Sequence, residues 1–163
     1  MNGMNGTISL RRALSVLNRR PQAAAQIRGS SAYPDLAGSV QFYQMSGGVL
    51  AAAEVTGLPR GNGVFGFHIH SGSQCSGTAA DPFADALTHY NPDGTPHPYH
   101  AGDLPPLFGN DGEAFQVFFT DRFTVREIIH KTVIIHSGVD DFTSQPAGNA
   151  GQKIACGLIV ALL

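Results

Sequence analysis

Val64-Phe65-Gly66-Phe67-His68-Ile69-His70 is the stretch that decides the fold. Its residues alternate, so Val64, Gly66, His68 and His70 share one side and Phe65, Phe67 and Ile69 the other. A period of two belongs to a β-strand, because successive side chains of an extended chain point to opposite faces. Working outward, short apolar runs recur at 23–29, 39–45, 49–55, 113–121, 132–136 and 154–161. Between them stand turn signals: Ser46-Gly47-Gly48, Leu58-Pro59-Arg60-Gly61 and Asn110-Asp111-Gly112. Short strands punctuated in this way predict an all-β sandwich or barrel. A short helix over 122–129 is expected, where Arg122, Arg126 and Glu127 flank Phe123 and Ile128.

Composition agrees. Gly and Pro make up about 18% of the 163 residues, against about 12% in average usage. Charged residues are 13%, about half the usual share. Such a chain has many turns and few of the charged faces that exposed helices need, which excludes coiled coils, helical bundles and solvated disorder. No apolar run approaches the roughly 20 residues of a membrane span, so no membrane partner is expected. The net charge of −2 conceals a split. Residues 1–28 carry five arginines and no acid, and the remainder is acidic by seven charges. The basic start, 1–22, reads as a mobile or loosely docked tail ahead of one domain over 23–163. It lacks the apolar core of a secretory signal, so a cytoplasmic location is the expectation. The acidic body argues against nucleic acid as a partner.

Two familiar patterns carry little. Gly61-Asn62-Gly63-Val64-Phe65-Gly66 fits a dinucleotide fingerprint, but that motif needs a following helix and here the third glycine enters a strand. Asn5-Gly6-Thr7 is a glycosylation sequon by rule alone.

The histidines carry more. All seven lie between His68 and His136. In a strand, His68 and His70 aim two imidazoles to one side, roughly 6–7 Å apart. His89, His97, His100 and Asp103 follow within the irregular segment 71–108, and His136 ends the run Thr132-Val133-Ile134-Ile135. Imidazoles with one carboxylate suit zinc or copper. A metal would also explain the 38-residue segment, whose chain freedom ligand bonds would remove in place of regular hydrogen bonding. His130 is left as a surface residue. Cys75 and Cys156 form either one bridge or two thiols.

These residues resemble a known family. Gly66-Phe67-His68-Ile69-His70, Cys75, His89-Tyr90-Asn91-Pro92, His100-Ala101-Gly102-Asp103-Leu104, Val133-Ile134-Ile135-His136, Asp140-Asp141 and Gly148-Asn149-Ala150-Gly151-Gln152-Lys153-Ile154-Ala155-Cys156-Gly157 look like the copper/zinc superoxide dismutases. The likeness runs from about residue 23 to the C-terminus. It implies an eight-stranded Greek-key β-barrel, immunoglobulin-like in its sandwich architecture, with a long metal-binding loop. It implies one copper per chain on His68, His70, His89 and His136. One zinc would sit on His89, His97, His100 and Asp103, with His89 bridging the metals. Asp140 would link ligands of the two metals, and Cys75 and Cys156 would form a disulfide, a bond better suited to an oxidising compartment. The implied reaction is redox cycling of copper that turns superoxide into dioxygen and hydrogen peroxide, with His89 taking and giving a proton.

The chain departs from the family's pattern in three places. The anion-guiding arginine falls on Lys153, which keeps the charge and loses the planar fork. The segment from His136 to Cys156 is short. Only Pro98 and Tyr99 separate His97 from His100, which implies a tighter zinc site. Reduced dismutase activity is therefore the expectation. The alternative is a non-catalytic copper- or zinc-binding protein that stores, delivers or is structured by metal. Val160, Leu162 and Leu163 could either form a homodimer interface or close the barrel.

Overall fold

The computed structural model of the chain describes residues 8–61 and 63–162. The sequon at Asn5, the central Asn62 of the glycine pattern and Leu163 lie outside them. Among the described residues nine strands form: β1 (Ala23–Gly29), β2 (Ala37–Met45), β3 (Gly48–Thr56), β4 (Val64–Phe65), β5 (Phe67–His70), β6 (Leu107–Phe108), β7 (Ala114–Thr120), β8 (Thr132–His136) and β9 (Lys153–Ala161). Seven make one antiparallel sheet in the order β5-β8-β9-β1-β2-β3-β7, curled into a half-barrel, and β4 pairs with β6 beside β7. Counting β4 and β5 as one interrupted strand leaves eight, the number that the family resemblance implies; the eighth, β6, falls in the segment that the sequence pattern leaves irregular.

The interruption has a local cause. Gly66 donates its N–H to Gly138 O and accepts from the His136 N–H, so it belongs to the β8 side. A Cβ there would stand 2.7 Å from the Ala150 Cβ. Glycine lets the strand turn the corner, and β4 leaves β8 to pair with β6. Beneath, Phe42, Phe65, Phe67, Ile27, Leu107, Ile135 and Ile154 pack into one apolar core. Close packing of such side chains fixes the strands that carry the functional residues.

Among the described residues two α-helices flank the sheet. The expected helix over 122–129 shrinks to α2 (Val125–Ile128), because Ile129 returns to extended backbone. Its start is fixed by Glu127 Oε2, which accepts from the Thr124 N–H at 2.6 Å. Within the basic segment, α1 (Leu10–Leu17) begins at Ser9, whose hydroxyl accepts from the Arg12 N–H. Its Val16 is buried against Tyr43, Met45 and Leu50 on the outer face of the sheet. Among the described residues no helix is long and apolar enough to cross a membrane.

Candidate metal centre

The strands and the segment after them bring six histidines together. His68 and His70 project from one face of β5, and His136 ends the neighbouring β8. The irregular segment then adds itself to the free edge of β5. Tyr90 N–H donates to Ile69 O, and Ile69 N–H donates to Gly102 O, both at 2.8 Å. These bonds bring His70 opposite His89 and His68 opposite Asp103. All six histidines are 6% exposed or less, an unusual condition for polar side chains without partners.

Their hydrogen bonds settle which ring nitrogen faces inward. A carbonyl oxygen can only accept, so His70 Nδ1 donates to Leu87 O and His136 Nδ1 donates to Gly151 O. Both Nε2 atoms are then bare lone pairs, and they stand 3.3 Å apart. Asp140 accepts from His68 Nε2 at 2.7 Å and from His97 Nε2 at 2.9 Å, which leaves Nδ1 of both rings bare. His68 Nδ1, His89 Nε2 and His97 Nδ1 have no hydrogen-bond partner although they are buried. Buried lone pairs facing one another, with no donor between them, are costly unless a cation occupies the space. The residues therefore fit metal ions.

The donors sort into two groups. His68, His70, His89 and His136 form one, and His89, His97, His100 and Asp103 the other, with donor atoms in each within 4.8 Å of one another. Asp103 gathers the second: Oδ1 lies 2.7 Å from His89 Nδ1 and 3.3 Å from His100 Nδ1, and Oδ2 lies 3.0 Å from His97 Nδ1. Four imidazoles suit copper, and three imidazoles with a carboxylate suit tetrahedral zinc. His89 belongs to both groups, through Nε2 and Nδ1. The single intervening pair Pro98-Tyr99 does not keep His97 and His100 from converging on Asp103. His130 is exposed and lies in neither group.

Protonation favours ligation. Burial pushes His70 well below its ordinary value and His136 down to about 3. Desolvation lowers His68 and His100 as well. For Asp140, burial acts upward, but hydrogen bonds from His68, the Phe142 N–H and His97 outweigh it and hold the carboxyl at about 2. Asp103 is also held below the usual range: burial raises it, and the His89 hydrogen bond with three neighbouring imidazoles prevails. Neutral rings beside ionised carboxylates are the state that metals need.

Several supporting residues carry no signal in the sequence. One guanidinium nitrogen of Arg122 donates to Pro98 O at 2.9 Å, His100 O at 3.2 Å and Asp103 O at 3.3 Å, tying down the second group's backbone. The amide of Gln145 accepts from the His97 N–H and donates to His97 O. Gly148 has φ +67°, and a Cβ there would collide with the Asp140 carboxylate that joins the two groups. Cys75 is bonded to the buried Cys156 of β9, which resolves the choice left open by cysteine count alone.

A cleft of about 560 Å³ opens onto the first group, lined by His70, His89 and His136 and by Asp81 and Lys153. Lys153 Nζ lies 2.6 Å from Asp81 Oδ2.

A family model described as "Copper/zinc superoxide dismutase (SODC)" matches residues 36–159. "Superoxide dismutase [Cu-Zn] 2" of Aquifex aeolicus is 34% identical over 140 residues, covering 77% of this chain and 80% of the relative. The crystal structure of the clock protein EA4 superposes with a TM-score of 0.74 at 27% identity, covering 88% of this chain and 97% of that one. The Cu/Zn superoxide dismutase from Brucella abortus gives 0.72 at 25% identity, covering 83% of this chain and 98% of the other.

Proposed function

Because the chain belongs to the copper/zinc superoxide dismutase family, we propose a residue-level account of how it converts superoxide to dioxygen and hydrogen peroxide. The enzyme is an oxidoreductase that uses copper and zinc. In this account copper is held by His68 Nδ1, His70 Nε2, His89 Nε2 and His136 Nε2. Zinc is held by His89 Nδ1, His97, His100 and Asp103. Copper supplies the one-electron oxidation and reduction that act on two superoxide anions. The observation that carries the reading is His89, the one residue common to both donor groups.

The chain's own residues supply the rest. His89 Nδ1 is held among Asp103 and His100, so Nε2, whose lone pair would hold either copper or a proton, is the nitrogen that can carry a proton to the reduced product. Asp140 fixes the tautomers of His68 and His97 at once, so that neither ring can turn away from its group. Lys153, on the wall of the cleft, meets the incoming anion as a point charge rather than a planar fork, which lowers the rate relative to an arginine. Burial of the rings excludes bulk water and strengthens each of these contacts.

The active domain is assigned to 23–163, with 1–22 as an accessory segment. Pairing into a homodimer is supported by Val160 and Leu162, which remain 42% and 36% exposed; sedimentation velocity on the loaded chain reads that directly. The deciding experiment is metal content and superoxide-dependent turnover on one preparation. One copper and one zinc per chain with turnover supports the dismutase. Zinc alone, with no turnover after copper is added, favours a non-catalytic zinc domain.

A further inference from the structure

Asp81 and Lys153 are the only charged Asp, Glu, Lys or Arg side chains among the described residues lining the cleft over His136. They face each other at 2.6 Å, with Lys153 15% and Asp81 42% exposed. The carboxylate is not there by chance of a swinging side chain. Its Oδ1 accepts from the Phe83 N–H at 3.1 Å, its own N–H donates to the Thr78 hydroxyl at 3.1 Å, and its carbonyl accepts from Thr78 and Ala84. The turn that presents it follows Cys75, which the disulfide ties to β9 three residues beyond Lys153. Both partners are therefore carried by one stapled unit.

We propose that Asp81 is a specificity-determining positioning residue: its carboxylate occupies Lys153 as an internal counter-anion and sets how strongly the cleft holds anions of different charge. The inference rests on the dismutase reading above and adds to it. A lysine opposed by a carboxylate presents a dipole, not a net positive charge, so its pull on a distant anion falls away faster than that of a free ammonium. An incoming anion also meets Asp81 itself. That repulsion scales with the charge of the visitor, so a dianion such as hydrogen phosphate is penalised about twice as much in free energy as a monoanion. Superoxide is a monoanion. The pair thus lets the substrate compete against more highly charged anions at the cost of weaker capture overall. The hydrogen bonds from Lys153 and Phe83 hold Asp81 below the usual carboxylate range despite the upward pull of burial, so the charge is present at neutral pH.

The test uses the copper- and zinc-loaded chain with azide as a monoanionic probe, followed by its visible charge-transfer absorption, and phosphate measured by competition. Metal content and the disulfide are verified on every sample. Asp81→Asn should tighten azide about threefold, and should tighten phosphate by about the square of that factor. Asp81→Glu, which keeps the charge, should stay near the parent. In a Lys153→Met background the gain from Asp81→Asn should shrink, since part of the effect runs through the freed ammonium. Should Asp81→Asn load metal poorly, Asp81→Ser retains a short acceptor for the Phe83 N–H and is read in the same way. Azide binding that is unchanged or weaker overturns the proposal, as does an equal gain for azide and phosphate. If the parent turns over superoxide while these affinities fail to move, only the role of Asp81 falls. A parent that holds copper but shows no turnover removes the dismutase reading and this inference with it.

Discussion

The two halves of the metal centre are built differently. His68, His70 and His136 stand on β5 and β8, whose backbones are paired residue by residue from Phe67–Ile135 to His70–Thr132. His97, His100 and Asp103 stand on a segment without regular structure beyond two bridges to the edge of β5. Strand donors are placed by a hydrogen-bond ladder over an apolar core and would keep their positions without an ion. Loop donors are placed by single side chains reaching in from elsewhere: Asp140, Arg122, Gln145 and the disulfide. One half is thus pre-formed and the other is assembled by tethers, and removing a tether should harm the second half more than the first.

The largest expected effect is on the covalent tether. Cys75 and Cys156 close a loop with a sequence separation of 81, for which the chain-entropy estimate is about 4.5 kcal/mol. Replacing both by serine should lower the stability of the metal-free chain by about 2–5 kcal/mol in urea unfolding. A loss below about 1 kcal/mol would show that the segment is held without the bond.

Asp140 comes next, because it accepts a hydrogen bond from one ring in each half, His68 on its strand and His97 in the loop. Asp140→Asn keeps the shape but can accept from only one of His68 and His97, and the other ring loses its tautomer. Zinc affinity should fall about 10- to 100-fold, with copper falling less because His68 remains on its strand. Equal losses for the two metals, measured by competition with chelators, would contradict the division between pre-formed and tethered donors.

Much of this was legible from residue order, and the boundary follows the same division. The strands are legible because packing one face on the apolar core imposes a period of two, as with Phe65, Phe67 and Ile69, and the histidines inherit their direction from that period. Cys75 and Asp140 are legible only through their resemblance to a family, since nothing local in Ser73-Gln74-Cys75 or Asp140-Asp141 announces a partner. Arg122, Gln145 and Asp81 are not legible at all. Each acts across a gap of 19 residues or more, from Arg122 to Asp103 upward, and such contacts depend on where the fold delivers the chain. The break at Gly66 is of the same kind, because its cause is Ala150 on the far side of the barrel corner.

Arg122 tests the loop half alone. Its guanidinium holds three carbonyls of the backbone that carries His100 and Asp103 and touches none of the strand donors. Arg122→Gln should weaken zinc by about tenfold and leave copper affinity and the midpoint of barrel unfolding nearly unchanged. A matching loss of copper would mean that the loop also supports β5, and the two halves would then have to be treated as one.

The smallest effect belongs to the place where the regions meet, the ion pair of loop Asp81 with barrel Lys153. Lysine brings one ammonium, and Asp81 engages it. Arginine at this position would bring five N–H donors in a plane, so a guanidinium could keep the Asp81 carboxylate on one edge and present further donors to superoxide. Lys153→Arg should therefore raise turnover at subsaturating superoxide by about two- to threefold at low salt, which is about 0.4–0.7 kcal/mol of capture. Because residues 29–163 carry a net negative charge, the gain has to act at short range. It should persist in part at 0.15 M salt, where the Debye length of about 8 Å still spans the contact. No change in rate at low ionic strength would mean that residue 153 does not limit capture, and that the anion is guided by the metal-bearing floor of the cleft alone.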